Sequence, residues 1–121
     1  MSGRELLGPW GEALAAGAYR KKRYRILAMN YRTRLGEIDI IAANRSYLVF
    51  AEVKLRKDDT HGAAREFVHM RKQQRIKSAA ELYLAENETQ LQPRFDVVEI
   101  YAPEGLATKK PEIRILEDAF S

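Results

Sequence analysis

The sequence of 121 residues contains no cysteine, which excludes disulfide bonds and metal sites built from thiolates. It also lacks any apolar run near the roughly 20 residues that a membrane-spanning helix needs. The first residues, MSGRELLGPW, lack the apolar core of a signal peptide. We therefore expect a protein without membrane segments, located in the cytoplasm.

No repeat, linker or low-complexity segment divides the chain, and its length suits one domain over residues 1–121. The apolar fraction of 45% and the charged fraction of 31% are typical of a globular protein. A chain of this size buries about two-thirds of the surface that it exposes when unfolded. The composition therefore predicts a domain with its own core.

The net charge of +4 is modest, but a basic cluster between positions 20 and 34 contains no acidic residue and has tyrosines among its cations. This pattern is typical of a surface that binds a polyanion, although the solvated face of an ordinary basic protein has it too. The cluster residues that we predict to contact nucleic acid are Arg20, Lys21, Lys22, Arg23, Arg25, Arg32 and Arg34.

The hydrophobic pattern predicts a helix over 8–22, strands over 24–32, 37–43 and 47–55, a long helix over 67–86 and a strand over 95–101. Gly8 and Pro9 suit the start of the first helix. Short gaps between the first three strands predict an antiparallel meander, and the helical crossover makes the fourth strand parallel to the third. A short edge strand over 111–117 would follow. The predicted fold is therefore α/β, a mixed sheet flanked by helices in the order αβββαβ.

Two charged residues, Glu52 and Lys54, interrupt the apolar strand FAEVKLR. Alternate residues of a strand point to the same face, so these two side chains should be neighbours. If the preceding hairpin is centred between positions 45 and 46, Asp39 lies opposite Glu52, and Glu37 lies opposite Lys54. Two opposed carboxylates repel each other unless a cation lies between them.

The same register divides the apolar residues of the hairpin between the two faces of the sheet. Ile41 and Phe50 share the face of the carboxylates. The opposite face is wholly apolar and must lie under a helix; it would carry Ile38, Ile40, Val49, Ala51 and Val53.

A divalent cation, Mg²⁺ or Mn²⁺, is the natural occupant of a site formed by Asp39 and Glu52, because one or two carboxylates with water and phosphate oxygens are its usual ligands. Lys54 would then position a water molecule or stabilise charge that develops on a phosphate. Sites of this kind hydrolyse phosphodiesters. The alternative from the spacing alone is a surface patch of salt bridges at the end of the strand.

The strings GEIDIIA and FAEVKLR resemble the D…E-x-K signature of the PD-(D/E)xK nuclease superfamily. With GEALAA, YRILAMNYR, KQQRIKSAAELYL and RFDVVEI they form an ordered set over residues 11–100. That set resembles the YraN-like uncharacterised bacterial family, which is related to archaeal Holliday-junction resolvases. The resemblance implies a restriction-endonuclease-like core.

The resemblance also implies roles for individual residues. Asp39 and Glu52 would be metal ligands and Lys54 the catalytic lysine, while Glu12 on the first helix would complete the metal environment. The alternative for Glu12 is a glutamate in the first helical turn that the helix dipole favours. Lys72 on the second helix would contact phosphate, or its aliphatic stem would lie along apolar surface.

We therefore predict a metal-dependent endonuclease that acts on DNA, including branched or structured DNA. The alternative is a nucleic-acid-binding module that keeps the nuclease fold without its chemistry. A third reading is an adaptor whose basic stretch is incidental. By analogy with resolvases we expect a homodimer. The sequence does not determine whether the substrate is DNA or RNA, or whether it is linear or branched.

Overall fold

The computed structural model describes residues 3–57 and 70–121. Its elements are α1 (Gly3–Lys21), β1 (Arg25–Arg32), β2 (Glu37–Ala43), β3 (Tyr47–Arg56), α2 (Met70–Glu86), β4 (Gln92–Tyr101), a short 3₁₀ helix (Gly105–Ala107) and β5 (Glu112–Phe120). The strands form one five-stranded sheet in the order β1-β2-β3-β4-β5. Only the β3–β4 pair is parallel, so the predicted mixed α/β sheet and the order αβββαβ are confirmed.

The boundaries of α1 and β5 differ from the prediction. Helix α1 begins at Gly3, and Pro9 lies inside it rather than at its start. The residues before Pro9 include good helix formers, so the helix continues past a proline that removes only one backbone hydrogen bond. Strand β5 has nine residues and is longer than the predicted edge strand. The predicted beginning of α2, residues 67–69, lies outside the described residues.

The hairpin between β2 and β3 has the predicted register. Ile41 pairs with Phe50, so the centre between positions 45 and 46 is confirmed. The side-chain oxygen of Asn44 accepts hydrogen bonds from the backbone N–H groups of Ser46 and Tyr47, at 2.9 and 2.7 Å. An asparagine that binds the backbone ahead of it holds a turn closed, which fixes the pairing of the strands that follow.

The sheet separates two hydrophobic clusters. The cluster beneath α2 contains Ile38, Ile41, Ala43, Leu48, Phe50, Ile76, Ala79, Ala80, Val97 and Phe120. The cluster beneath α1 contains Ala15, Ala16, Tyr19, Tyr24, Ile40, Ala42, Val49, Ala51, Val98 and Ile100. Ile38 lies under α2 and Ile40 under α1, so the prediction that these two residues share a face was wrong.

In β1 and β2 the side chains stop alternating regularly between the two faces of the sheet, and they do so at neighbouring positions. Ala28 and Tyr31 both contact the cluster beneath α2, as do Ile38 and Ile41. Residues three apart in a regular strand lie on opposite faces, so each strand is irregular between these positions. In β1 the irregular residue is Asn30, whose φ of 52° lies in the left-handed region that asparagine tolerates. Ile38 therefore lies on the α2 face together with Ile41.

A buried polar network joins α1 to β4 on the other face. Asp96 accepts hydrogen bonds from Tyr19 Oη at 2.8 Å and from Arg94 Nε and Nη2 at 2.9 Å each. Arg94 also donates to the hydroxyl of Tyr24, and the backbone N–H of Asp118 completes the set at 3.0 Å. Both oxygens of Asp96 therefore have donors, and its charge is matched by a buried guanidinium.

Candidate functional site

Asp39 lies where strands β2 and β3 separate. Their backbone pairing reaches Ile40 and Ala51 and does not include Asp39. Instead, the Oδ2 atom of Asp39 accepts a hydrogen bond from the backbone N–H of Val53 at 2.8 Å. A side-chain carboxylate thus replaces a backbone carbonyl as the acceptor. The residues of β2 before Asp39 are therefore not paired with β3. Asn30 lies beside Asp39 on β1, since its neighbours pair with those of Asp39.

The Asp39 carboxyl lies close enough to the carboxyl of Glu52 for the two groups to interact electrostatically. Glu52 is buried, with 6% of its side chain exposed. Burial raises the pKa of Asp39 to about 7, the nearby Glu52 charge adds to the shift, and the Val53 hydrogen bond opposes it. The two acids that the sequence predicts to lie opposite each other are therefore brought together, and this environment disfavours the charged form of Asp39.

Helix α2 supplies a cation to this pair. The ammonium of Lys72 forms an ion pair with Glu52 Oε1, while 45% of the Lys72 side chain stays exposed. The sequence analysis offered a phosphate contact or an apolar surface for Lys72, and it missed this ion pair. The signal was nonetheless there, because Lys72 lies four residues before the buried Ile76 and so on the side of α2 that covers the sheet.

Lys54 follows Glu52 on the same face of β3. Its neighbours Val53 and Leu55 contact the cluster beneath α1, so the half-buried Lys54 points to the α2 side. Its register partner on β4 is Glu99, which is 1% exposed. The sequence analysis did not identify this additional buried acid, because its position next to Lys54 depends on the parallel register of β4.

The predicted pairing of Glu37 with Lys54 was wrong. Glu37 instead contacts Arg32, its partner on β1, with 3.3 Å between Oε1 and Nε. The reason is the separation of β2 from β3 beyond Ile40, which leaves Glu37 beside β1 alone.

Glu12 lies near the acid pair but has its own partner. Asn30 Nδ2 donates to Glu12 Oε1 at 2.9 Å. Burial raises the pKa of Glu12, the Asn30 hydrogen bond lowers it, and the charges of Asp39 and Glu37 raise it further. No group of three or more acidic or histidine side chains in residues 3–57 and 70–121 is arranged to hold a metal. The three-carboxylate arrangement implied for Glu12, Asp39 and Glu52 is therefore not found there.

A groove of about 760 Å³ is lined by Lys72, the partner of Glu52. Its described lining residues are Glu37, Met70, Arg71, Lys72, Arg75 and Ile76. The turn between β1 and β2 is held against α2 at this groove, since a Cβ atom on Gly36 would lie 2.3 Å from the backbone oxygen of Arg75. The arginines of α2 were missed in the sequence analysis, although Arg71, Lys72 and Arg75 have the i, i+1, i+4 spacing that places cations on one side of a helix.

The basic cluster of the sequence is divided by the fold. One part surrounds the end of α1 and the start of β1 and comprises Arg20, Lys21, Lys22, Arg23 and Arg25. Arg25 pairs with Ala43, four positions from Asp39 along β2, which is about 13 Å in an extended strand. The other part, Arg32 and Arg34, flanks the β1–β2 turn close to Asp39. Only this second part lies at the end of the sheet that carries the carboxylates.

Residues 11–100 match the model of a family described as "Uncharacterised protein family UPF0102". The chain belongs to the UPF0102 family. It is 47% identical over 95 residues to a UPF0102 protein of Syntrophotalea carbinolica, covering 78% of this chain and 77% of the relative. It is 42% identical over 109 residues to UPF0102 protein TTE1452 of Caldanaerobacter subterraneus subsp. tengcongensis, covering 88% and 89%. The YraN-like resemblance of the sequence analysis is thereby confirmed as a family assignment.

The donor set of this UPF0102 chain suits a hard divalent cation. Asp39 and Glu52 offer carboxylate oxygens, and the chain contains no cysteine sulfur. Mg²⁺ and Mn²⁺ prefer such oxygen ligands, and Mg²⁺ commonly retains several waters and needs only one or two carboxylates. Neither helix in the described ranges combines the length and apolarity needed to cross a bilayer.

Proposed function

We propose that this chain is a divalent-metal-dependent nuclease that hydrolyses DNA phosphodiester bonds. The observation that carries the proposal is the contact between Asp39 and Glu52 at the point where two strands separate. A buried and a half-buried carboxylate held close together destabilise a fold unless a cation joins them. A pair of this kind, next to a groove lined by cations, fits a site that binds metal and phosphate together.

Asp39 and Glu52 would hold the ion, and the Val53 N–H would orient the Asp39 carboxylate. Bound Mg²⁺ would polarise a phosphate oxygen and lower the pKa of a coordinated water molecule. Lys54 would place its ammonium on the same side of the sheet and stabilise negative charge that develops on the phosphate. Glu12, held by Asn30, would add negative potential beside Asp39 without touching the ion.

The phosphates of the substrate would be bound by cations on both sides of the groove. Arg71 and Arg75 line it from α2, and the exposed Arg32 and Arg34 lie at the adjoining β1–β2 turn. Arginine contacts to phosphate position a nucleic acid without reading its sequence. The choice of DNA, its branched form and a homodimer rest on the resemblance to resolvases, and the cytoplasmic location rests on sequence composition.

A second candidate is a nucleic-acid-binding module without catalysis. The Lys72–Glu52 ion pair favours it, because this contact partly neutralises the acid pair without a metal. In that case the groove would bind phosphate and the carboxylates would serve the fold alone.

A cleavage panel separates the two candidates. Labelled single-stranded, duplex, flap and four-way-junction DNA, with matching RNA, would be incubated with the protein and Mg²⁺ or Mn²⁺. We expect cleavage by the wild type and by Glu88→Ala, an exposed acid after α2, and none by Asp39→Ala. Binding of these substrates without cleavage in either ion would contradict the nuclease and support the binding module.

A further inference from the structure

Lys72 connects the acid pair with the groove. We propose that the Lys72 ammonium is a displaceable cation, which occupies the place of the divalent ion beside Glu52 and moves into the groove to bind phosphate when that ion arrives. This inference rests on the proposed metal-dependent function. It assigns Lys72 a role in both states of the site.

The ion pair has one fixed and one movable partner. Glu52 lies within β3 with 6% of its side chain exposed, whereas 45% of the Lys72 side chain is exposed to solvent. A lysine carries its charge on a flexible four-carbon stem. The carboxylate thus stays in place while the ammonium leaves by rotation about its own side-chain bonds, with no movement of α2.

The charges favour the exchange. The ammonium pairs with Glu52 and also attracts Asp39, so a single positive charge faces two carboxylates. A divalent ion supplies two charges at the same position and is a better match for the pair. Once it is bound, the ammonium faces a neutralised site and repulsion from the ion, and both effects favour its departure.

The groove gives the released ammonium a destination. Lys72 lines it together with Arg71 and Arg75, so its backbone position already lies between the acid pair and the proposed phosphate contacts. In the groove it would add a third cation of α2 to those contacts. Metal binding would then strengthen nucleic-acid binding, and by linkage nucleic acid would strengthen metal binding by the same factor.

The first test measures Mg²⁺ affinity by titration calorimetry at pH 8 for the wild type, Lys72→Met and Lys77→Met. Methionine keeps an unbranched chain and removes the charge, and Lys77 is a control on the same helix outside the described groove lining. We expect Lys72→Met to bind Mg²⁺ about 5- to 10-fold more tightly, since no ion pair must be broken. Lys77→Met should bind like the wild type.

Equal or weaker Mg²⁺ binding by Lys72→Met would overturn the displacement and leave the proposed nuclease standing. If no variant binds Mg²⁺ or Mn²⁺, both the displacement and the metal-dependent function fail.

A second test measures the wild-type protein and uses a variant, the conservative Lys72→Arg, only to assign the signal. Protein labelled with ¹⁵N-lysine would show a protected ammonium signal for Lys72, assigned from its loss in Lys72→Arg. We expect saturating Mg²⁺ to remove this protection, because the released ammonium exchanges with water. A Lys72 signal that persists unchanged at saturating Mg²⁺ would overturn the inference.

Discussion

Two buried acidic sites lie on opposite faces of the same sheet and differ in how their charge is compensated. Beneath α1, Asp96 accepts hydrogen bonds from a tyrosine, a backbone N–H and the buried guanidinium of Arg94. Beneath α2, Asp39 and Glu52 contact each other, with one backbone N–H and the half-exposed Lys72 as partners. Asp96 has hydrogen-bond donors on both of its oxygens. Asp39 and Glu52 carry two negative charges, and Lys72 supplies only one positive charge.

This difference separates a structural role from a functional one. A fully satisfied polar network stabilises and specifies a fold, which explains the Asp96 network without any ligand. Acids held in contact, with Asp39 at a pKa of about 7, stabilise nothing by themselves and are typical of a binding or catalytic site. The comparison predicts that equivalent changes at the two sites have different effects on stability.

The largest effect is expected when the cation of each site is removed. Arg94→Met leaves Asp96 buried without its counter-ion and should lower the free energy of unfolding by about 3–5 kcal/mol. Lys72→Met should lower it by less than about 1 kcal/mol, because Lys72 is half exposed and the acid pair can retain a proton instead. Urea unfolding of both variants measures the difference. Equal losses would mean that the two sites are compensated alike.

The next comparison is between two glycines, one packed against α2 and one within α1. Gly36→Ala places a Cβ atom 2.3 Å from the Arg75 backbone oxygen of α2, so we expect a loss of about 1–3 kcal/mol in unfolding free energy. Gly17→Ala on α1 meets no atom within 4 Å and should stabilise the helix by about 0.5–1 kcal/mol. Thermal melting measures both. Tolerance of Gly36→Ala would show that the groove wall is not held by this contact.

Removing one acid from each site should shift stability in opposite directions. Asp39→Asn relieves the repulsion and should raise the unfolding free energy at pH 8 by about 1–2 kcal/mol, whereas Asp96→Asn should lower it by weakening its bonds to Arg94. A destabilised Asp39→Asn at pH 8 would contradict the account of the acid pair.

The pH dependence follows from the raised pKa of Asp39. The folded state retains the Asp39 proton up to about pH 7, while the unfolded chain releases it near 3.8. The folded state therefore binds more protons in this window, and the Asp39 contribution to stability falls as the pH rises from about 4 to about 7. Denaturant midpoints across this range should show the decline in the wild type and a flatter curve in Asp39→Asn.

The smallest expected effect concerns the two basic regions. A double change of Arg71 and Arg75 to Ala removes groove cations, and a double change of Lys21 and Arg23 to Ala removes cations at the other end of the sheet. For each lost phosphate contact, the slope of log binding constant against log salt concentration should decrease in magnitude by about 0.9. Fluorescence anisotropy at several salt concentrations should detect the reduction for the first pair only. A reduction for the second pair instead would indicate that DNA binds at the end of α1.

Much of this arrangement follows from local sequence patterns. A short turn between EIDIIAA and the following strand favoured the assumed register that brings Asp39 towards Glu52, and the structure confirms it. The face of Ile38 was not predictable, because it depends on an irregularity of β2 between Ile38 and Ile41 that the apolar pattern of EIDIIAA does not show.

The cations of the site were harder to predict, since their contacts cross between elements distant in sequence. Lys72 reaches Glu52 only through the packing of α2 on the sheet. The basic cluster was predicted as one surface, but β1 extends through it and divides its members between the two ends of the sheet.

The central claim is that the cation site lies at Asp39 and Glu52 and not at Asp96. Two backbone amides report on the two sites, because Val53 donates to Asp39 and Asp118 donates to Asp96. Their strands, β3 and β5, lie two positions apart in the sheet, which is about 10 Å.

The most direct measurement is a Mn²⁺ titration followed in ¹H–¹⁵N spectra, in which the paramagnetic ion broadens nearby amides. We predict that the Val53 signal disappears at a much lower Mn²⁺ concentration than that of Asp118, and that Asp39→Asn abolishes the selectivity. Broadening centred on Asp118, or none at either amide, would contradict the account.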